Sequence, residues 1–191
     1  MAKKKKDQKN KQVLMTLFLA FIMITSILGY QFGQEDVVRY NGYKFVQRDN
    51  QLTLNIGGKE VYFYTFPDQA EGFDMPEDVK VLLGAPLVFV TYDINSSLAE
   101  SMALAQYELV DALPVKNVYA VPALTTNTTY AIQQWSCDNA TMTQPVIYFI
   151  LGNTTSLQAD DKGCIIAQAR SSFDVLFLKD IIQYRVLGVV A

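Results

Sequence analysis

The sequence predicts an α/β chain: an N-terminal transmembrane helix, a small antiparallel β meander, then an α/β layered domain with a mainly parallel sheet. Three observations predict it. Six lysines crowd the first eleven residues, and an uncharged apolar run follows from Val13 to Tyr30. Two turn dipeptides, Asn41-Gly42 and Gly57-Gly58, separate short segments of strand character. From Pro76 onward, apolar runs of strand length alternate with helix-start signals, the pattern of a sheet covered by helices. The boundaries that follow are a basic cytoplasmic tail over 1–12, a transmembrane helix over 13–33, a linker and meander over 34–75, and an exported α/β domain over 76–191.

The anchor comes first in chain order. Val13 to Tyr30 is 18 residues, which as a helix spans about 27 Å, close to a bilayer core. No charged side chain falls between Lys11 and Glu35. Ten strong inserters from Val13 to Leu28 supply on the order of −3 to −6 kcal/mol for insertion. Thr16, Thr25 and Ser26 can bond back to their own helix carbonyls, so they do not oppose it. Small residues suited to signal cleavage, Ser26 and Gly29, pair with bulky Ile24 and Ile27, and both cysteines lie far from any lipidation position. Lysines before the span and Glu35 and Asp36 after it predict the tail inside and the C-terminal domain outside. Residues 31–36 read as a short linker.

The meander is expected next. Asn41-Gly42 between Val37–Tyr40 and Tyr43–Val46 signals a type I′ hairpin. Leu52, Leu54 and Ile56 alternate with Thr53 and Asn55, giving one buried and one wet face. Gly57-Gly58 turns into a strand over Glu60–Phe66, and Pro67 ends the unit.

Pro76-Glu77-Asp78 suits a helix first turn, with acids at the positive dipole end. Leu87–Tyr92 is an unbroken apolar strand of the kind covered on both faces. Ser97-x-x-Glu100 reads as a capping box opening a helix to about Leu113, with Leu98, Met102, Ala105 and Leu109 as its inner stripe and Pro114 as its stop. Strands are expected over Val118–Val121, shortened by Pro122, then over Val146–Leu151 and Cys164–Ala167. Ser171-x-x-Asp174 opens the last helix, with Phe173, Phe177, Ile181 and Tyr184 on one face and Gly188 as its cap.

Charge and composition narrow the function. The chain has 16 basic and 19 acidic residues; without the first eleven residues, which hold six Lys and Asp7, 10 basic and 18 acidic groups remain, a net of −8. An acidic exported domain repels nucleic acid, and the basic tail finds its partner in the anionic inner leaflet of the lipid bilayer. Histidine is absent, which removes Ser-His and Cys-His nucleophile pairs and every His-dependent metal site. Cys137 and Cys164 are the only cysteines, and they lack a C-x-x-C spacing. In an oxidising exterior they are expected to pair; two buried thiols are the alternative.

Four N-x-[ST] triplets start at Asn95, Asn127, Asn139 and Asn153, where roughly one is expected by chance. They are candidate glycosylation sites, and each also suits turn or cap chemistry. If the strands run parallel, Asn95, Asn127 and Asn153 fall along the carboxyl edge, where open α/β sheets bind ligands.

Other candidates are Asp68, Glu71, Asp74, Glu77 and Asp78, a dense acid loop with calcium-type oxygen ligands or simply a solvated loop. Asp160-Asp161-Lys162-Gly163 reads as a plain turn. Asp93 ends the first α/β strand, where such folds often place a working carboxylate. Trp135, Tyr130, Tyr62 and Tyr64 suit either a ligand groove or packing. No cofactor motif or metal-ligand spacing is present, and no residue is assigned as catalytic.

Several local patterns carry a resemblance: Tyr40-Asn41-Gly42, Ile56-Gly57-Gly58-Lys59, Tyr64-Thr65-Phe66-Pro67, Cys137-Asp138-Asn139-Ala140-Thr141 before Pro145-Val146-Ile147, Gly163-Cys164-Ile165, and Asp180 and Tyr184 with Leu187-Gly188. In these the chain resembles uncharacterised single-pass, membrane-anchored exported proteins of archaea. The resemblance implies an archaeal envelope location and nothing catalytic. The expected function is a non-enzymatic binding module, or a subunit of an assembly with a membrane or envelope protein. The alternative is a carboxylate-dependent extracytoplasmic hydrolase acting on glycan or peptide. A redox role for the two cysteines is weaker.

Overall fold

The structure is a computed structural model describing residues 13–26, 36–48, 50–126 and 131–190. The chain divides into two compact units, Met1–Asp36 and Val37–Ala191. In the first, residues 13–26 form helix α1, and the Thr25 hydroxyl donates back to Phe21 O at 2.9 Å and Ile22 O at 3.0 Å. Among the described residues no helix is long and apolar enough to cross a membrane. The basic tail over 1–12 and the expected continuation of the span over 27–33 lie outside the described residues.

The second unit holds two sheets. Strands β1 (Asp36–Tyr40), β2 (Tyr43–Arg48), β3 (Gln51–Ile56) and β4 (Lys59–Phe63) form an antiparallel sheet in sequence order. Asn41 and Gly42 sit at φ 45° and 81°, as the type I′ hairpin requires. Thr53 is buried with Leu52 and Leu54, so the expected wet face of β3 is wet only at Asn55.

The acid loop contains an unexpected short helix, α2 (Pro67–Glu71), and the helix expected from Pro76 follows as α3 (Glu77–Leu83). Proline opens the first, and Pro76 stands at the N-cap of the second, where a missing N–H costs nothing.

The mixed sheet has order β7-β6-β5-β8-β10-β9. Its strands are β5 (Leu87–Tyr92), β6 (Tyr119–Leu124), β7 (Gln133–Gln134), β8 (Val146–Leu151), β9 (Ser156–Ala159) and β10 (Cys164–Ala169). All neighbours pair parallel except β9 on β10. The edge strands β7 and β9 were not expected; each is too short to carry a pattern of its own. Strand β6 does not stop at Pro122. Tyr119 and Thr125 donate their N–H groups across to Pro86 O and Tyr92 O, so the alternate position 122 turns its nitrogen away from β5. On that outer side β7 begins pairing only at Ala123, and the missing donor is harmless.

Helices α4 (Ala99–Ala112) and α5 (Ser172–Leu187) lie between the two sheets. From α4, Gln106 donates to Val90 O at 2.6 Å and Ala123 O at 2.8 Å in the mixed sheet. The same helix turns Glu108 and Asp111 toward the meander, to Tyr64 and Lys59. The expected Ser97–Glu100 capping box does not form. The N-cap of α4 falls one residue later, at Leu98, and it is Ser96 whose hydroxyl accepts from Leu98 N at 3.2 Å. The α5 start is as expected: Ser171 accepts from Asp174 N at 3.2 Å, and Gly188 caps the end at φ 72°. Phe173, however, is 62% exposed and leaves the expected face. Ser172 and Phe173 at the start of α5 are exposed, whereas Asp174 and Val175 in the same turn and Leu178 to Tyr184 are buried.

One core runs through meander, helices and the inner face of the mixed sheet (Val88, Val90, Ile147, Phe149, Ile165). Phe45, Phe63 and Tyr184 close it at the meander end, with Phe63 and Tyr184 stacked at 4.1 Å. The alternate strand residues Phe89, Val146 and Cys164 form a second, smaller core on the far face, covered by the segment before β8.

Gly163 enters β10 at φ 104°, and a Cβ there would lie 2.6 Å from Thr141 O. Gly163→Ala is expected to lower stability by about 1–3 kcal/mol, read as a reduced denaturant midpoint with unchanged slope.

Candidate functional site

The parallel strands bring their C-terminal ends to one edge, and the chain order reverses between β5 and β8, the place where open sheets offer a crevice. Asp93 and Asn95 follow β5 and Asn153 follows β8, so the three share that edge as expected; Asn127 lies outside the described residues. Asp93 is engaged locally. Its Oδ1 accepts from Asn95 N at 2.9 Å and from Asn95 Nδ2 at 3.2 Å, an Asx turn leading into α4. Burial raises the Tyr148 phenol above its ordinary value, and the Asp93 charge adds to the shift. Asn139 stands elsewhere, in a 3-10 turn over Cys137–Asn139, where its Oδ1 accepts from Ser136 N at 3.0 Å. Asn95, Asn139 and Asn153 are all exposed.

On the far face, Trp135 stacks on Phe89 at 4.2 Å, donates its backbone N–H to Leu124 O, and accepts at its carbonyl from the Thr91 hydroxyl. Trp135 is therefore packing rather than a groove wall; Tyr130 lies outside the described residues. Cys137 and Cys164 form a disulfide with Cα atoms 5.2 Å apart, tying this covering segment to the start of β10.

The acidic residues of α2 and α3 are dispersed. Glu71 accepts from the Tyr40 hydroxyl at 2.6 Å, and that bond pushes the phenol up to about 12. Glu77 pairs with Lys80 at 3.1 Å. Glu71, Asp74, Lys80 and Arg185 rim a cleft of about 150 Å³ floored by Met75 and Ile181. Among the described residues no group of three or more Cys, Asp or Glu side chains is placed to hold a metal ion. Asp160 is turn chemistry as expected: its Oδ1 accepts from Lys162 N at 3.0 Å and Cys164 N at 2.7 Å.

The densest constellation was not anticipated from sequence. Lys179 and Asp180 on α5 are fully buried, and Glu108 on α4 is nearly so. The Lys179 Nζ lies 2.6 Å from Glu108 Oε2 and 2.5 Å from Asp180 Oδ1. It also donates to Tyr62 O at 3.1 Å and Gln183 Oε1 at 3.0 Å, and sits 4.9 Å from the centre of the Tyr64 ring. Asp180 Oδ2 accepts from both Tyr64 N and Thr65 N at 2.7 Å. The Tyr64 hydroxyl donates to Glu108 Oε1 at 2.8 Å and accepts from Gln51 Nε2 at 3.0 Å. The Tyr184 hydroxyl closes the far side on Thr65 O at 2.6 Å. Burial holds the Asp180 carboxyl above its ordinary value although Lys179 and the two backbone donors pull it down. Burial likewise raises Tyr64 and Tyr184, keeping both phenols as donors. A signal was present in the sequence: apolar residues fall all round α5, so its mid-helix charges have no solvent face to occupy.

No family model, curated protein or solved structure matches the chain.

Two stability predictions follow from this geometry. Burial alone would raise Asp174, but hydrogen bonds from Ser171, Arg170 and Thr155 together hold it below 3.8. A depressed carboxyl stabilises the fold above the unfolded-state value, and that contribution disappears as pH falls through the folded one. The stability advantage of the native chain over Asp174→Asn is therefore expected to shrink in acid below pH 3.8, in denaturant titrations across pH. For the disulfide, with a sequence separation of 27, replacing both cysteines by serine is expected to cost roughly 3.5 kcal/mol in the chain-entropy model, measured in the same way.

Proposed function

We propose that the protein is a membrane-tethered, extracytoplasmic envelope protein. Its tail lies inside and its head outside, the head serving as a non-enzymatic binding module or as a subunit of a membrane-associated assembly. The observation that carries this reading is α1. All fourteen described residues of the helix are exposed, and apart from Thr16, Thr25 and Ser26 they are apolar on every side. A helix with no polar face needs apolar surroundings, and lipid is the surrounding that a preceding lysine block favours. In sequence the uncharged run continues past the described helix to Tyr30, long enough to span.

The disulfide in the head supports the same reading, because such bonds persist in oxidising exteriors. The resemblance to archaeal single-pass proteins supports an archaeal envelope. Exposed Asn95 and Asn153 give the carboxyl edge of the sheet a polar rim that a glycan or a protein partner can meet.

Alkaline carbonate extraction of membranes tests the tether. The native chain is expected in the pellet, and Leu17→Lys combined with Ile24→Lys in the supernatant, since each charge costs about 2.5–3.5 kcal/mol at mid-span. Native chain released by carbonate would overturn the proposal. So would a head sheltered from protease added to intact cells.

A further inference from the structure

The buried contacts of Lys179 are closer than an ion pair needs, and two of them are poorly formed as hydrogen bonds. Its Nζ lies 2.6 Å from Glu108 Oε2 and 2.5 Å from Asp180 Oδ1, yet neither oxygen has a hydrogen-bond partner of acceptable geometry among the described residues. An amine pressed against a carboxyl in a water-excluded interior is arranged for acyl transfer. We propose that Lys179 Nζ and the Glu108 carboxyl condense within the folded chain to an amide that cross-links α5 to α4, with Asp180 carrying the proton.

The neighbours supply each part of that reaction. The Lys179 ammonium passes one proton to Asp180 Oδ1, and the freed amine attacks Glu108 Cδ. Negative charge gathers on Oε1, where the Tyr64 hydroxyl donates at 2.8 Å, itself polarised by Gln51 Nε2. This is the placement of an oxyanion donor. The Cδ–Oε2 bond breaks, and Oε2 leaves as water with one proton from Nζ and one returned by Asp180. Ammonium and carboxylate become amide and water; no electron changes hands and Asp180 ends as it began. Burial, which holds Asp180 above its ordinary value, suits it to take and return a proton.

The driving force is electrostatic. Lys179, Glu108 and Asp180 place one positive and two negative groups in the interior, and condensation removes one of each. The released water departs past the Glu108 side chain, which is 10% exposed, while Lys179 itself is 0% exposed.

Peptide mapping of the purified, disulfide-reduced full chain decides the matter. Trypsin is expected to leave Lys179 uncut and to yield residues 81–116 joined to residues 171–185, one water lighter than the two peptides together. Fragmentation should place the bond between Glu108 and Lys179. Lys179→Met should give the 81–116 peptide free, and Asp180→Asn should leave the join incomplete. Separate peptides with cleavage after Lys179 in the native chain would overturn the proposal, whether or not the variants fold. A water loss located at other residues would also overturn it, and complete joining in Asp180→Asn would overturn the proton role of Asp180.

Discussion

The fold depends on how the outer edge of β4 is satisfied. A four-stranded meander with one apolar face needs a partner, and the backbone groups beside its last strand cannot be left unpaired once helices cover them. Helix α5 supplies the partner with side chains instead of another strand. Lys179 donates to Tyr62 O, and Asp180 accepts from Tyr64 N and Thr65 N, so two adjacent residues pair three backbone groups between Tyr62 and Thr65. The Phe63–Tyr184 stack sits beside this tie, and the Tyr184 hydroxyl takes Thr65 O. Burying such charges costs several kcal/mol per ion, which their mutual attraction and their hydrogen bonds offset. Here the charges fix register: a slip of β4 by one residue would move Tyr62 O off Lys179 and turn Phe63 out of the core.

Sandwiching α4 and α5 between two sheets explains which elements could be read from sequence. Strand β5, with its unbroken apolar run, and the β1–β2 and β3–β4 turns were legible because local chemistry alone determines them. So were the N-cap Ser171 and the cap Gly188. The polarity of α5 was legible only from the apolar residues on all its sides, which a single-stripe reading overlooks. Lys179, Asp180 and Gln183 look like a wet face under a rule that assigns each helix one buried stripe. That rule fails for a helix with a sheet on either side. Phe173 is the same error in reverse: it continues the periodic stripe yet is 62% exposed, while Asp174 and Val175 beside it in the same turn are buried. Pro122 misled for a related reason. A proline ends a strand only when its nitrogen faces a partner, and which side it faces depends on strand order, which no local pattern contains.

The far face of the mixed sheet shows what replaces a missing helix. In doubly wound sheets a crossover helix covers each face, whereas here β8 reaches β10 through the short antiparallel β9, and among the described residues no α-helix crosses the far side. The segment before β8 does the covering with Trp135 on Phe89 and with Ala140. That apolar area is small, and a coil segment loses much conformational entropy when pinned. The Cys137–Cys164 bond reduces the loss by limiting the unfolded chain, and Gly163 lets the backbone approach Thr141 closely enough for the bond to close. The paired cysteines were evident in the sequence; the face they protect was not, because it follows from the connection between β8 and β10.

Perturbed ionisable groups often mark reaction sites, and Asp180 is such a group, whereas Asp93 drew attention by its place at a strand end. Their surroundings give the two carboxylates different roles. Asp93 stands at the sheet edge but spends its Oδ1 on the Asn95 turn. Asp180 is displaced by burial, and its Oδ2 is held by two backbone donors at 2.7 Å, so its perturbation has an architectural cause. No external substrate reaches a side chain at 0% exposure beneath two aromatic rings and a strand edge. A group sealed this way can exchange protons only with what is sealed in beside it, the Lys179 amine and, through it, the Glu108 carboxyl. Any molecule from outside the chain can therefore meet only its surface, such as the polar carboxyl edge or the acidic flank of α2 and α3, while the interior charges face the chain itself.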